Sequence, residues 1–175
     1  MTEVRWIPVQ KEPFDIASDD SVWSRMQLAI GQGTTTVTPL LNLMMYAAIA
    51  NDGVMMTPYL VDHYLDADGN VVEQTKPKAL RSVCTKAEAE LMDEFLTYVI
   101  TNGTAAAGGS QYARVSGKTG SAQYDSTKNY HAWFCGYGTN DVSEIAVCVM
   151  IERAAPAELL QHQLRDKIFD YISAD

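Results

Sequence analysis

Three β-rich runs lie close together in the second half of the chain, and they constrain its fold more than any other feature. They are VSGKTGSAQ from Val115, YHAWFCGY from Tyr130 and EIAVCVMI from Glu144. The short polar segment GTNDVS joins the last two runs, which is typical of an antiparallel hairpin. The sequence therefore predicts three consecutive strands of one antiparallel sheet.

A first helix is predicted upstream by its capping residues. Thr38 supplies a hydroxyl N-cap, and Pro39 suits the first helical position. The apolar segment 40–50 continues the helix until Asp52-Gly53 ends it. Because this helix is apolar on nearly all sides, we expect it to be buried on most faces.

A second helix follows a capping box. Thr85 and Glu88 have the required spacing, and Asn102-Gly103 closes the helix. Residues at helical spacing form an expected apolar stripe, namely Leu91, Met92, Phe95, Leu96 and Val99.

Turn residues and a terminal amphipathic segment complete the organisation. Asp68-Gly69-Asn70 between apolar runs predicts a small hairpin. From Pro156 the sequence predicts a last helix over 156–173, with apolar residues four apart at Leu160, Leu164, Ile168 and Ile172. Helices and strands do not alternate strictly, so the predicted class is α+β, with helices packed on an antiparallel sheet.

Composition excludes several functional classes. The 175 residues fit one domain, and a formal net charge of −9 argues against nucleic acid as a partner. The longest apolar run, 40–50, is too short to cross a bilayer, and the first ten residues lack the apolar core of a signal peptide. No cofactor is expected.

The cysteines and histidines give no sign of a metal site. Cys84, Cys135 and Cys148 match no zinc-binding spacing and are interpreted as plain buried or partly buried thiols. The three histidines are scattered over different segments, so no metal ligand is assigned to them.

The tetrapeptide Lys118, Thr119, Gly120 and Ser121 stands out within a predicted strand. It offers a positive charge, two hydroxyls and backbone N–H groups that no Cβ at Gly120 obstructs. Those groups suit an anionic carboxylate or a developing oxyanion. A solvated lysine in a turn is the ordinary explanation of an isolated KTG, so the surrounding sequence has to decide.

That surrounding sequence resembles a known family. The segments AIGQGTTTVTPLLNLMMYAAIANDGVMMTPYLV, VITNGTAAAG, SGKTGSAQ, HAWFCGYG and EIAVCVMIE follow in order. Over 29–152 the chain resembles the C-terminal part of the transpeptidase domain of class B penicillin-binding proteins. The resemblance implies a serine acyltransferase that cross-links peptidoglycan stem peptides and is the target of β-lactams.

The resemblance also implies roles for the KTG strand. Lys118 would support the hydroxyl of the second family motif electrostatically, while Thr119 and Ser121 would hold the carboxylate of the stem peptide or β-lactam. The Ser121 backbone N–H would form half of the oxyanion hole. The complete parent protein would be extracytoplasmic and anchored by an N-terminal membrane helix, whereas this chain shows no signal or transmembrane segment.

Two of the family's three motifs are missing. The sequence contains no S-x-x-K and no S-x-N, and the nearest approximation, Thr75 to Lys78, contains Pro77. We therefore expect a single partial domain, the C-terminal portion of the transpeptidase domain, that is inactive alone. It would comprise an irregular lead-in over 1–28, the family region over 29–152 and the helix over 156–173. An exposed sheet edge is expected to favour homo-oligomers.

Two other functions remain open at this point. A standalone, non-catalytic module that binds a peptide or protein partner would use the same strand without chemistry. An unrelated enzyme with Lys118 or a cysteine as nucleophile is disfavoured, because the sequence places no general base beside either candidate.

Overall fold

The computed structural model describes residues 7, 21–33, 36–105, 109–110, 112–124 and 130–154. In chain order its elements are α1 (Val22–Ala29), α2 (Pro39–Ala50), β1 (Val54–Met56), β2 (His63–Leu65), β3 (Val71–Gln74), β4 (Ala79–Ser82), α3 (Lys86–Asn102), β5 (Arg114–Gln123), β6 (Tyr130–Thr139) and β7 (Glu144–Ala154). None of the helices in these ranges is long and apolar enough to span a bilayer.

Helices α2 and α3 begin where their capping residues predict. The Thr38 hydroxyl accepts a hydrogen bond from the backbone N–H of Leu41, with Pro39 in the first turn. Thr85 and Glu88 form both halves of the capping box at the start of α3. These side chains satisfy backbone N–H groups that the helix itself leaves unpaired.

Helix α1 corrects the expectation of an irregular lead-in over 1–28 at its last seven residues, 22–28, while 1–6 and 8–20 lie outside the described residues. The Ser21 hydroxyl accepts a hydrogen bond from the backbone N–H of Ser24, and this cap starts a helix of 8 residues. Trp23 remains 67% exposed, so local capping rather than packing accounts for this helix. The predicted helix over 156–173 lies outside the described residues.

Two small antiparallel pairs lie between α2 and α3. Strand β1 pairs with β4, and β2 pairs with β3 across the predicted hairpin. In that turn the Asp66 carboxylate accepts backbone hydrogen bonds from Asp68 and Asn70, and Gly69 has a φ of 85°. A positive φ explains the glycine at that position.

The main sheet has the strand order β5-β6-β7, antiparallel throughout, as predicted. On one face, Val115, Ala132 and Phe134 pack with Ile100 from the end of α3. On the opposite face, α2 packs against β6 and β7, with Tyr46 next to Cys135. The α+β class is confirmed, with helices packed on an antiparallel sheet.

The expectation that α2 is buried on most faces agrees with the structure, whereas the expectation for α3 holds only in part. In α2, Met44 and Ala48 are buried, the other residues over 40–50 are half-buried, and Met45 alone in that range is exposed. In α3 the buried residues are Ala89, Leu96 and Ile100. Of the expected stripe, Leu96 is buried and Val99 is half-buried, whereas Leu91, Met92 and Phe95 are exposed. Polar contacts of Asp93 and Thr97 with the sheet set the orientation of α3, and apolar periodicity alone does not reveal them.

Candidate active site

The four residues of the KTG segment lie in β5, one of the two edge strands of the main sheet in the described residues. Lys118 and Ser121 are exposed, Gly120 is half-buried and Thr119 is buried. Their cross-strand partners in β6 run from Cys135 to Ala132 without any shift in register. The backbone of the segment is therefore held as a regular strand, with one long edge turned away from β6.

Two side chains bind backbone carbonyls of this segment. The Lys118 ammonium donates to the carbonyl of Thr119 over 2.8 Å. The Gln32 amide donates from Nε2 to the carbonyl of Ser121 over 3.1 Å. In an antiparallel strand, the N–H and C=O of one residue point to the same side. Because Gln32 reaches the Ser121 carbonyl from outside the sheet, the Ser121 N–H also points away from β6.

Gln32 is a site residue that the sequence analysis did not assign. It lies between Gly31 and Gly33, whose φ values of 73° and 103° give a sharply turned backbone after α1. Such angles favour glycine, and they bring the amide of Gln32 to a strand 89 residues further along the chain. The flanking glycines were the available signal, although they identify no partner.

Thr119 lies behind the strand surface. The Thr119 hydroxyl is 3.4 Å from the hydroxyl of Thr104, which follows α3. Thr119 as a whole is 8% exposed. A threonine hydroxyl has one donor and two acceptor positions, so this contact leaves hydrogen-bonding capacity for a ligand.

The glycines of the segment have different surroundings. A Cβ on Gly117 would lie 2.9 Å from the Cys135 carbonyl oxygen and 2.9 Å from Cζ of Phe134. Gly136, directly opposite, is equally crowded, since a Cβ there would lie 2.5 Å from the Ser116 carbonyl oxygen. At Gly120 the nearest atom would be Cβ of Trp133, at an ordinary 3.5 Å. Internal packing thus requires glycine at 117 and 136 but not at 120.

A polar network anchors the start of β5 to α3. The Asp93 carboxylate accepts hydrogen bonds from the Ser116 hydroxyl over 2.8 Å and the Tyr137 hydroxyl over 2.6 Å, and it pairs with the Arg114 guanidinium. The Thr97 hydroxyl lies 2.8 Å from that of Ser116. This network fixes the backbone two residues before Lys118.

Hydrogen bonding decides the ionisation of Asp93. Burial by itself raises the pKa of this carboxyl, but the hydrogen bonds from Tyr137, Arg114 and Ser116 outweigh burial and hold the pKa below its ordinary value. Burial, reinforced by the bond to Asp93, raises the pKa of Tyr137. The carboxylate is therefore the stable ionic form at neutral pH, with three donors directed at it.

No metal site accompanies these groups in the part of the chain that the structure describes. There, no three residues among His, Cys, Asp and Glu are arranged to hold an ion. His131 instead stacks on Tyr124, with ring centroids 4.4 Å apart. The functional groups that the site offers are thus one ammonium group, hydroxyls and backbone N–H groups on an accessible strand edge.

Comparison with known proteins identifies the family. A sequence profile described as "Penicillin binding protein transpeptidase domain" matches residues 11–174. The chain belongs to this family. The predicted resemblance to a penicillin-binding protein transpeptidase domain is therefore confirmed.

Individual relatives agree with the family match. The chain is 31% identical over 128 residues to a peptidoglycan D,D-transpeptidase, PbpA, of Mycolicibacterium smegmatis, covering 71% of the chain and 26% of the relative. It is similar to the PbpA of Mycobacterium tuberculosis at 28% identity, with 73% and 26% covered. The chain thus spans about a quarter of the length of these relatives.

Solved transpeptidase structures share the fold. The D,D-transpeptidase domain of a peptidoglycan glycosyltransferase from Eggerthella lenta is 30% identical, with a TM-score of 0.63, covering 74% of this chain and 32% of that one. Penicillin-binding protein A of M. tuberculosis, solved as an imipenem acyl-enzyme complex, is 27% identical, with a TM-score of 0.68 and coverage of 79% and 32%. The helices and antiparallel sheet described above are therefore part of a transpeptidase domain.

Proposed function

We propose that Lys118, Thr119, Gly120 and Ser121 bind the carboxylate of a peptidoglycan stem peptide, or of a β-lactam, in a D,D-transpeptidase. The observation that carries this proposal is the edge of β5, where the Lys118 ammonium and the exposed Ser121 lie beside outward-facing backbone. An acyl-enzyme with a β-lactam in a relative of the same fold supports the choice of ligand. The complete protein would act outside the cytoplasm, anchored in the membrane.

Each group has a distinct task in this proposal. The ammonium of Lys118 supplies the positive charge, and the hydroxyls of Ser121 and Thr119 donate to the carboxylate. The outward N–H of Ser121 donates to the oxyanion that forms when the carbonyl carbon of the ligand is attacked. Gly120 leaves room for the ligand backbone, since internal contacts give no other reason for a glycine there.

Gln32 acts as a positioning residue within the same proposal. By donating to the Ser121 carbonyl, it fixes the backbone plane that follows Ser121 and limits rotation of the strand end. The oxyanion donor is then oriented before the ligand arrives, which is how such donors contribute to rate.

We further infer that the isolated chain binds but does not form an acyl-enzyme. Acylation needs a serine activated by a neighbouring base, and no S-x-x-K or S-x-N occurs among the 175 residues. The nucleophile has to be supplied from outside this sequence. The same observation keeps a non-catalytic peptide-binding module as the second candidate function.

The test combines mass spectrometry with NMR. The chain is incubated with excess benzylpenicillin, its fold is checked by circular dichroism, and its intact mass and backbone amide shifts are recorded. We expect no mass increase, together with shift changes at Thr119 and Ser121. Lys118→Met should abolish these changes, whereas the exposed control Lys76→Met should retain them. Gln32→Ala should weaken ligand binding. Gln32→Asn should bind almost as weakly as Gln32→Ala, because the asparagine side chain is shorter than that of glutamine.

The outcomes separate the candidates. A stoichiometric adduct on a serine or threonine would show that the nucleophile is in this chain and would overturn the inference of inactivity. A folded chain without shift changes along 118–121 would refute carboxylate binding. Shift changes produced by a peptide ending in D-alanine in wild type, but not by the same peptide amidated, would support the carboxylate as the recognised group.

A further inference from the structure

Two cysteines face each other in the main sheet. Cys135 in β6 and Cys148 in β7 are direct cross-strand partners, and their Sγ atoms are 3.1 Å apart. Directly opposite residues of antiparallel strands have Cα atoms about 4.5–5.5 Å apart. That separation lies inside the range of roughly 4.4–6.8 Å that a disulfide requires. We propose that Cys135 and Cys148 form a cross-strand disulfide when the chain folds in the presence of a disulfide donor.

The third cysteine is placed differently. Cys84 follows β4, and its sulfur packs against Gly53, where an added Cβ would lie 2.9 Å from Cys84 Sγ. Gly53 also has a φ of 83°, so this contact belongs to a tight turn. The structure therefore selects one pair among the three that three cysteines allow.

Burial determines when the bond forms. Burial raises the pKa of both the Cys135 and the Cys148 thiol, and α2 packs over this face with Tyr46 beside the pair. Thiol exchange proceeds through the thiolate, which is scarce at neutral pH for thiols of this kind. Oxidation is therefore expected while the β6–β7 hairpin forms, before α2 covers it.

The reaction balances as two exchanges with a low-molecular-weight disulfide such as oxidised glutathione. The Cys148 thiolate attacks one donor sulfur, breaks the donor S–S bond and releases one donor thiolate. The Cys135 thiolate then attacks the Cys148 sulfur of the mixed disulfide and releases the second donor thiolate. The two protons of the cysteine thiols end on the released donor thiols, so the protein is oxidised by two electrons and the donor is reduced by two.

The position of the bond links it to the KTG strand. Cys135 in β6 pairs with Cys148 in β7 on one side and with Lys118 in β5 on the other. These three residues therefore form one row across the sheet. A disulfide would fix β6 to β7 in the register on which β5 is built. This proposal stands independently of the proposed function, because it depends only on the two sulfurs and the strand register.

Thiol counting tests the proposal. The full chain is refolded with oxidised and reduced glutathione and then unfolded in guanidinium with N-ethylmaleimide, which labels free thiols. Its intact mass is then measured by mass spectrometry. We expect one labelled thiol, Cys84, and a Cys135–Cys148 cross-linked peptide after digestion without reductant. Cys84→Ala should show no labelled thiol, and Cys148→Ala should show two. Three labelled thiols in wild type, or a disulfide that joins Cys84 to either of the other cysteines, would overturn the proposal.

Thermal unfolding provides a second measurement. A bond between residues 13 apart closes a short loop and should raise Tm of the oxidised chain over the reduced chain by roughly 5–10 °C. The same comparison in Cys84→Ala should give the same shift. An unchanged or lower Tm on oxidation would show that the bond does not fit the native sheet and would count against the proposal.

Discussion

Alanine substitutions at two glycines of β5 should have opposite effects on stability. At Gly117 a Cβ would meet a backbone oxygen and the Phe134 ring, both at 2.9 Å, a distance that real Cβ atoms essentially never show. At Gly120 it would meet Cβ of Trp133 at 3.5 Å, and neither glycine has a φ in the left-handed region. The change in unfolded-state entropy, about 0.4–1 kcal/mol in favour of alanine, is common to both variants. The difference between them therefore isolates the clash.

Overpacking costs about 1–3 kcal/mol, and two simultaneous short contacts, one with backbone, place Gly117→Ala near 3 kcal/mol. For a chain of this size, that difference corresponds to roughly 6–12 °C in Tm. Urea unfolding followed by circular dichroism measures it, and an unchanged m-value shows that both variants unfold from the same compact state. Free energies of unfolding of Gly117→Ala and Gly120→Ala within about 0.5 kcal/mol of each other would refute the packing argument, since that is the size of an ordinary surface effect.

Three further perturbations test the fold. Asp93→Asn removes a carboxylate with a lowered native pKa, so the variant should lose about 1–3 kcal/mol at neutral pH. In wild type this contribution is present above about pH 4 and is lost as pH falls through the lowered native pKa of Asp93. Plots of the free energy of unfolding against pH for wild type and Asp93→Asn should therefore converge in acid. Parallel plots would contradict the assignment. Thr85→Ala should cost about 1 kcal/mol by removing a helix cap, and an unchanged urea midpoint would show that the cap contributes nothing. The exposed apolar side of α3, where Phe95 is 58% exposed, should make the chain self-associate and bind a hydrophobic dye. Phe95→Glu should reduce both self-association and dye binding. A monomeric wild type that binds no dye would refute this prediction.

The sequence predicts the elements well where the deciding interactions are local. The caps at Thr38 and Thr85 act on backbone within three residues of themselves, and the turn at Gly69 depends on its own φ. Strand alternation and the polar connection between β6 and β7 likewise fix the hairpin without distant information. The lead-in over 1–28 was the exception, because the cap at Ser21 starts a helix that apolar patterning does not indicate.

Long-range contacts account for what the sequence could not predict. The contact of Asp93 with Tyr137 joins residues 44 apart, and it accompanies a buried face of α3 that includes Leu96 but leaves Leu91 and Phe95 of the expected stripe exposed. Gln32 and Ser121 are 89 residues apart, and nothing in either segment alone identifies the other. For the KTG segment, the sequence suggested its chemistry, but only the register with β6 distinguishes Gly117 from Gly120 by their neighbours.

The contact between Gln32 and Ser121 also has a consequence for folding kinetics. A contact between residues far apart in sequence costs chain entropy because it closes a long loop. Such contacts therefore tend to form late in folding. The β5–β7 meander and the capped helices contain mostly local contacts and can assemble before the loop around Gln32 docks. The contact between Gln32 and the KTG strand should therefore form last during refolding and be lost first under mild denaturation.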